Sequence, residues 1–65
     1  MYCAKIKPGG MFKLDNGMEG IHLSSTISAS TVIVTYCPHA KTEEDKRYYL
    51  GIQRWSPNTE VKEIK

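Results

Sequence analysis

The segment 46–55 carries the residue types best suited to binding another macromolecule. It interleaves three basic and three aromatic residues: Lys46, Arg47, Tyr48, Tyr49, Arg54 and Trp55. Tyr, Trp and Arg dominate the energetic centres of protein interfaces, and aromatic rings beside cations also stack on unpaired bases. A core strand whose basic groups face water gives the same pattern, so the exposure of the rings decides between these interpretations.

Three consecutive acidic residues stand immediately before this segment, at Glu43, Glu44 and Asp45. Carboxylates at this position repel phosphate groups, which favours a protein partner over a nucleic acid. The sequence therefore predicts a partner-binding face that combines both sets of residues: Arg47, Tyr49, Arg54, Trp55, Glu43, Glu44 and Asp45.

Cys37 and His39 bring a thiol and an imidazole close together in the chain. With Cys3 and His22 they make two cysteines and two histidines, but zinc sites of this composition normally use two close pairs and this chain has one. A cysteine nucleophile needs a histidine base and a substrate pocket, and a chain this short rarely forms a deep pocket. The sequence therefore predicts no metal site, no cofactor and no enzymatic activity.

The composition is that of a small globular domain. The chain has 65 residues, of which 40% are apolar and 25% are charged. This is too apolar for a disordered chain, and the length allows one domain over residues 1–65. The net charge of +2 excludes a strongly basic, histone-like protein. A domain this short is marginally stable, so we expect self-association, for example as a homodimer, to add stability.

No stretch of the sequence resembles a signal peptide or approaches the ~20 apolar residues of a membrane span. These features predict a cytoplasmic protein without membrane contact. Thiols normally stay reduced in that compartment, so we expect Cys3 and Cys37 to be free rather than joined in a disulfide.

Alternating apolar and polar residues, separated by turn-forming residues, predict short strands. The predicted strands are Tyr2–Lys7, Met11–Leu14, Met18–Leu23 and Thr31–Tyr36, and Thr59–Ile64 is either a short last strand or a charged tail. Asn16-Gly17 predicts a tight hairpin, and Gly20 predicts a β-bulge or a close backbone approach. We expect Ile21 and Leu23 to face the core, and the fourth of these strands to lie centrally because it is almost wholly β-branched.

The segment 46–55 fits either a strand or a helix. As a strand, it points Tyr48, Leu50 and Ile52 to the core and leaves Tyr49 and Trp55 exposed on the other face. As a helix, it would follow a threonine cap and three acids that suit the positive end of the helix dipole. The glycine within the segment and the Tyr-Tyr pair favour the strand.

Five or six short strands with turn signals every ~8–12 residues predict an all-β fold, either a small antiparallel barrel or a strongly bent sheet. The alternative is an α+β fold with one helix near residues 43–54. We predict a protein-binding module or stoichiometric inhibitor that acts by surface occlusion, as phage and mobile-element proteins do against a host nuclease or polymerase complex. The alternative function is a β-barrel that binds single-stranded DNA or RNA through aromatic and basic residues.

Overall fold

Five short strands pair into one antiparallel sheet in the computed structural model, which describes residues 1–64. The strands are Met11–Lys13 (β1), Glu19–Ser25 (β2), Ser30–Tyr36 (β3), Gly51–Trp55 (β4) and Lys62–Ile64 (β5). Their order is β4-β3-β2-β1-β5, so β4 and β5 form the two edges and the sheet is not closed. The predicted all-β class is confirmed, as a bent open sheet rather than a barrel.

The hairpin between β1 and β2 forms at the predicted Asn16-Gly17 turn. The Gly17 N–H donates to the Leu14 carbonyl at 3.0 Å, and Gly17 has a φ of +95°, a conformation that favours glycine. The Asn16 Oδ1 atom accepts from the Met18 N–H at 3.0 Å, which is how asparagine side chains stabilise turns. Local chemistry therefore fixes this turn, and the hairpin prediction is confirmed.

β2 turns a different face to the core from the one predicted. Gly20 and His22 are buried, whereas Ile21 and Leu23 are half-buried on the opposite face. A Cβ atom at Gly20 would lie 2.9 Å from the Phe12 Cζ atom, so the close approach predicted there is confirmed. The predicted orientation of Ile21 and Leu23 is wrong because the Phe12 ring occupies space that only a glycine leaves free.

The register of β2 against β3 shifts at two places, between Glu19 and Gly20 and between His22 and Ser24. Each shift is a β-bulge, in which one strand contributes an extra residue and its side chains change face. At the first shift the extra residue is Thr35 on β3, so a bulge lies beside Gly20, although Gly20 is not itself the extra residue. The second bulge brings Ser25 to the core side of the sheet, together with His22.

The N-terminal segment forms a 3-10 turn over Cys3–Lys5 and not the predicted strand over Tyr2–Lys7. Such a helix has three residues per turn, so Cys3 and Ile6 lie on one side, and both are buried. The Cys3 N–H donates to the Thr59 carbonyl at 2.8 Å. Alternation alone suggested a strand here, whereas the spacing of the two buried residues is that of a turn.

A short helix, Glu43–Tyr49 (α1), precedes β4. The Thr42 Oγ1 atom accepts from the Asp45 N–H at 3.1 Å and caps the first turn, as threonine commonly does. The helix ends before Gly51, whose φ of +96° is typical of residues that follow a helix. The segment 46–55 is therefore helical in its first half and a strand in its second half, so neither single interpretation of it is right.

The core lies on one face of the sheet. Its buried apolar members are Cys3, Ile6, Phe12, Val32, Val34, Cys37 and Val61. Val32 and Val34 belong to β3, which pairs with β2 on one side and β4 on the other, as predicted for a central strand. Within residues 1–64, no helix has the length and apolar character needed to cross a membrane.

Candidate interaction surface

The three acids of the predicted binding face form the first turn of α1. Glu43 and Glu44 are exposed, and Asp45 is half-buried. Negative charge in the first turn stabilises a helix, because the N-terminal end carries a partial positive charge. The Glu43 carboxylate also lies 3.7 Å from the Lys46 ammonium nitrogen. The acids therefore have a local structural role, and their contact with a partner stays a prediction.

Tyr49 and Trp55 are not exposed as the strand interpretation expected. Both are half-buried and pack against the core. The Trp55 ring meets the Phe12 ring edge-on, with 5.5 Å between the centroids. Trp55 lies opposite Ser30, whose small side chain leaves room for the indole, and the alternation of β4 then turns Ile52 outward. The predicted orientation of this strand is thus inverted.

The exposed side chains of this region are different ones. Tyr48 is 75% exposed and Ile52 is 71% exposed, and Arg47 and Arg54 also face solvent. Arg47 belongs to α1, whereas Ile52 and Arg54 alternate with Trp55 along β4 and so lie on the sheet face opposite the core.

This face carries an apolar row that crosses all five strands. Each member is the direct cross-strand neighbour of the next, in the order Ile64, Met11, Ile21, Ile33, Ile52. Met11 is 44% exposed, whereas Ile21, Ile33 and Ile64 are half-buried. The row is therefore a continuous apolar strip that remains open to solvent.

Charged and polar residues border this row on both sides. One side is a second row across four strands: Lys62, Lys13, Glu19 and Tyr36. On the other side, Arg54 lies opposite Thr31. We call the apolar row and these six bordering residues the outer face. Its three cations and one acid give it a charge of +2 (three minus one).

The thiol and imidazole that the sequence places two residues apart lie in different surroundings. Cys37 is buried, whereas His39 is exposed. Cys3 and Cys37 are both free thiols. Burial raises the pKa of the Cys3 thiol, and a hydrogen bond with Ser30 partly offsets this rise. Among residues 1–64, no three His, Cys, Asp or Glu side chains converge where they could hold a metal ion.

His22 is 2% exposed, and both of its ring nitrogens have partners. Nδ1 lies 2.6 Å from the Ile6 carbonyl oxygen, and Nε2 lies 2.7 Å from the Ser25 Oγ atom. The Ser25 Oγ atom is in turn 2.5 Å from the Ser30 Oγ atom. Sequence reasoning missed this cluster, because residues three apart lie on opposite faces of a regular strand and no sequence pattern marks the bulge beyond Gly20.

A depression of about 130 Å³ lies beside β5 and is lined by Met1, Asp15, Glu60, Val61 and Lys62. Ligand sites normally enclose about 300–1,000 Å³, so this depression is too small to bury a drug-sized molecule. The N-terminal amine already lies 3.5 Å from the Glu60 carboxylate there.

The outer face thus combines an open apolar row across all five strands with bordering charges that are mainly positive. No protein-family model, curated protein or solved structure matches this chain.

Proposed function

We propose that the chain is a protein-binding module that acts by covering a surface of its partner, and that the outer face makes the contact. The apolar row from Ile64 to Ile52 carries this proposal. Large contiguous apolar patches with polar borders are typical of protein interaction sites and are uncommon on monomeric soluble proteins. A binding role of this kind needs no catalytic group.

The charges beside the apolar row indicate the chemistry of the partner. Lys13 lies directly opposite Lys62, and like charges in this position destabilise a sheet. Arg54 adds a third cation on the other side of the row. The Lys62 ammonium already lies 3.9 Å from the Asp15 carboxylate. A partner surface of apolar side chains bordered by carboxylates would cover the row and neutralise Lys13 and Arg54.

The predicted binding face and the outer face share Arg54. Tyr49 and Trp55 pack against the core, and α1 carries Arg47 and the three acids. The proposed mode of action is stoichiometric inhibition, in which the chain blocks a host nuclease or polymerase complex. Apolar and cationic contacts of this kind can cover a surface of the partner without any catalytic step.

A pull-down from native host lysate tests the proposal with two matched variants. Ile52→Asp places a carboxylate at the end of the apolar row, and we expect it to abolish recovery of the partner. Ile27→Asp is the control, because Ile27 is 101% exposed in the turn after β2, outside the outer face. Both variants should unfold at the wild-type urea concentration, because neither side chain belongs to the core.

Equal recovery of the same protein by both variants contradicts the proposed surface. Recovery of nucleic acid instead, with an affinity that falls steeply as salt rises, supports the alternative of single-stranded DNA or RNA binding, because displaced counterions make that affinity salt-dependent.

A further inference from the structure

A β-bulge places a serine hydroxyl against a buried imidazole at the end of β2. The register shift between His22 and Ser24 leaves Leu23 without a direct partner on β3. This extra residue turns Ser25 to the same side of the sheet as His22, where the Ser25 Oγ atom lies 2.7 Å from Nε2. Bulges often re-aim a side chain in this way beside active sites.

The partners of the ring decide where its proton lies. A carbonyl oxygen only accepts, so the contact of 2.6 Å with Ile6 assigns the proton of neutral His22 to Nδ1. Nε2 is then the acceptor, and the Ser25 hydroxyl donates to it. Ser30 in turn donates to the Ser25 Oγ atom across 2.5 Å. A base held by one partner and hydrogen-bonded to a hydroxyl is the arrangement that activates a serine.

We propose that Ser25 is a nucleophile, with His22 as its general base, that accepts an acyl group from an activated carboxylic ester. The Ser25 Oγ atom forms a bond to the ester carbonyl carbon, and its proton passes to His22 Nε2. The bond from that carbon to the leaving oxygen breaks, and the leaving group takes the proton and departs as a phenol or alcohol. Water then hydrolyses the Ser25 ester to a free carboxylic acid.

The adjoining turn limits the esters that can react. The Thr26 N–H donates to the Ala29 carbonyl at 2.8 Å, and the Ser28 and Ala29 N–H groups donate to the Thr26 Oγ1 atom at 3.3 and 3.2 Å. These N–H groups are therefore not free to stabilise an oxyanion, a contribution worth about 10²–10³ in rate per donor. The site consequently takes esters whose leaving group is already good, such as nitrophenyl esters.

Ser25 lies on the core side of the sheet, so its reactivity is independent of the outer face and of the proposed binding function. Ser25 is exposed although His22 is buried, so the nucleophilic residue lies at the surface while its base stays shielded from water.

Acetylation by p-nitrophenyl acetate, followed by peptide mass spectrometry, tests the proposal on the wild-type chain. We expect Ser25 to react about 100-fold faster than Ser28, because general-base catalysis contributes about 10²–10⁴ in rate. Ser28 is an exposed serine of the same hairpin, and its hydroxyl contacts the Thr26 Oγ1 atom rather than a histidine. Alkaline hydroxylamine distinguishes the serine ester from acetylated lysine, because it cleaves oxygen esters and leaves amides intact.

His22→Gln keeps a polar side chain in the place of the ring but removes the base. We expect this variant to lower the Ser25 rate to that of Ser28, with circular dichroism confirming that the sheet is intact. If the variant does not fold, the acetylation rates of Ser25 and Ser28 in the wild-type chain still test the proposal. Equal acetylation of Ser25 and Ser28 in the wild type overturns the proposal and leaves the cluster with a structural role alone.

Discussion

Trp55 illustrates how the role of a side chain depends on which face of the sheet it joins. Because its ring packs edge-on against Phe12, we expect Trp55→Ala to lower the free energy of unfolding by about 2 kcal/mol. Arg54→Ala is the matched control on the neighbouring residue, which is exposed, and it should change stability by less than about 0.5 kcal/mol. Urea unfolding measures both, and equal losses would contradict the assignment of Trp55 to the core.

The buried Cys3 thiol should make the free energy of unfolding depend on pH. Burial raises the pKa of its thiol above the ordinary value of 9.0, so the folded state keeps a proton that the unfolded state has lost. This contribution to stability is full below the unfolded pKa and is lost as pH rises past it. As pH rises above about 9, we expect the unfolding free energy to fall more steeply for the wild type than for Cys3→Ala. Equal slopes for the two proteins would show that Cys3 stays accessible to solvent.

Gly20 lies in β2 where β1 and β3 pack closely against it. A Cβ atom at this position would lie 2.7 Å from the Ile33 carbonyl oxygen and 2.9 Å from the Phe12 Cζ atom, and a backbone atom cannot move aside cheaply. We expect Gly20→Ala to destabilise the fold by about 1–3 kcal/mol, the usual cost of overpacking. Ile27→Ala is a control with no packing to lose, because Ile27 is 101% exposed. Wild-type stability of Gly20→Ala in urea would mean that β1, β2 and β3 lie farther apart than described.

The cap of α1 tests whether this helix contributes to stability. Thr42→Ala removes the oxygen that accepts from the Asp45 N–H, and we expect a loss of about 1 kcal/mol in thermal or urea unfolding. Thr42→Ser keeps the oxygen and should retain most of the wild-type stability. The same loss in both variants would argue that the threonine methyl group, rather than the hydrogen bond, stabilises the helix.

The elements that local chemistry decides could be predicted from the sequence. The Asn16-Gly17 turn and the β-branched strand β3 belong to this group, and so does the predicted bulge near Gly20. The orientation of each strand could not be predicted, because alternation identifies two faces without saying which one meets the core. Contacts between distant residues decide it: Phe12 fills the space above Gly20, and Trp55 fits over Ser30.

The candidate surface also depends on contacts between residues that are distant in the sequence. Its residues alternate visibly in the sequence, but the row from Ile64 to Ile52 exists only through the pairing of all five strands. The sequence located Arg54 correctly at the surface and assigned its aromatic neighbours to that surface wrongly, because the chain has too few large side chains to fill both a core and a binding face.

At the scale of the whole molecule, charge separates the candidate partners. Two copies joined through their outer faces would bring two surfaces of charge +2 together, and repulsion disfavours this pairing at low salt. The predicted homodimer therefore needs another surface. The three acids in the first turn of α1 similarly disfavour a phosphate backbone near that helix, which agrees with the protein partner proposed for the outer face.

Site-specific photo-crosslinking in native host lysate tests the outer face most directly. A photo-reactive residue replaces Ile52 in one sample and Ile27 in the other, since both side chains are exposed and only the first lies in the apolar row. We expect a single protein adduct from position 52, suppressed when Lys13 and Lys62 are both changed to Glu, and none from position 27. Adducts of equal yield from both positions, or an adduct from position 27 alone, would contradict binding through the outer face.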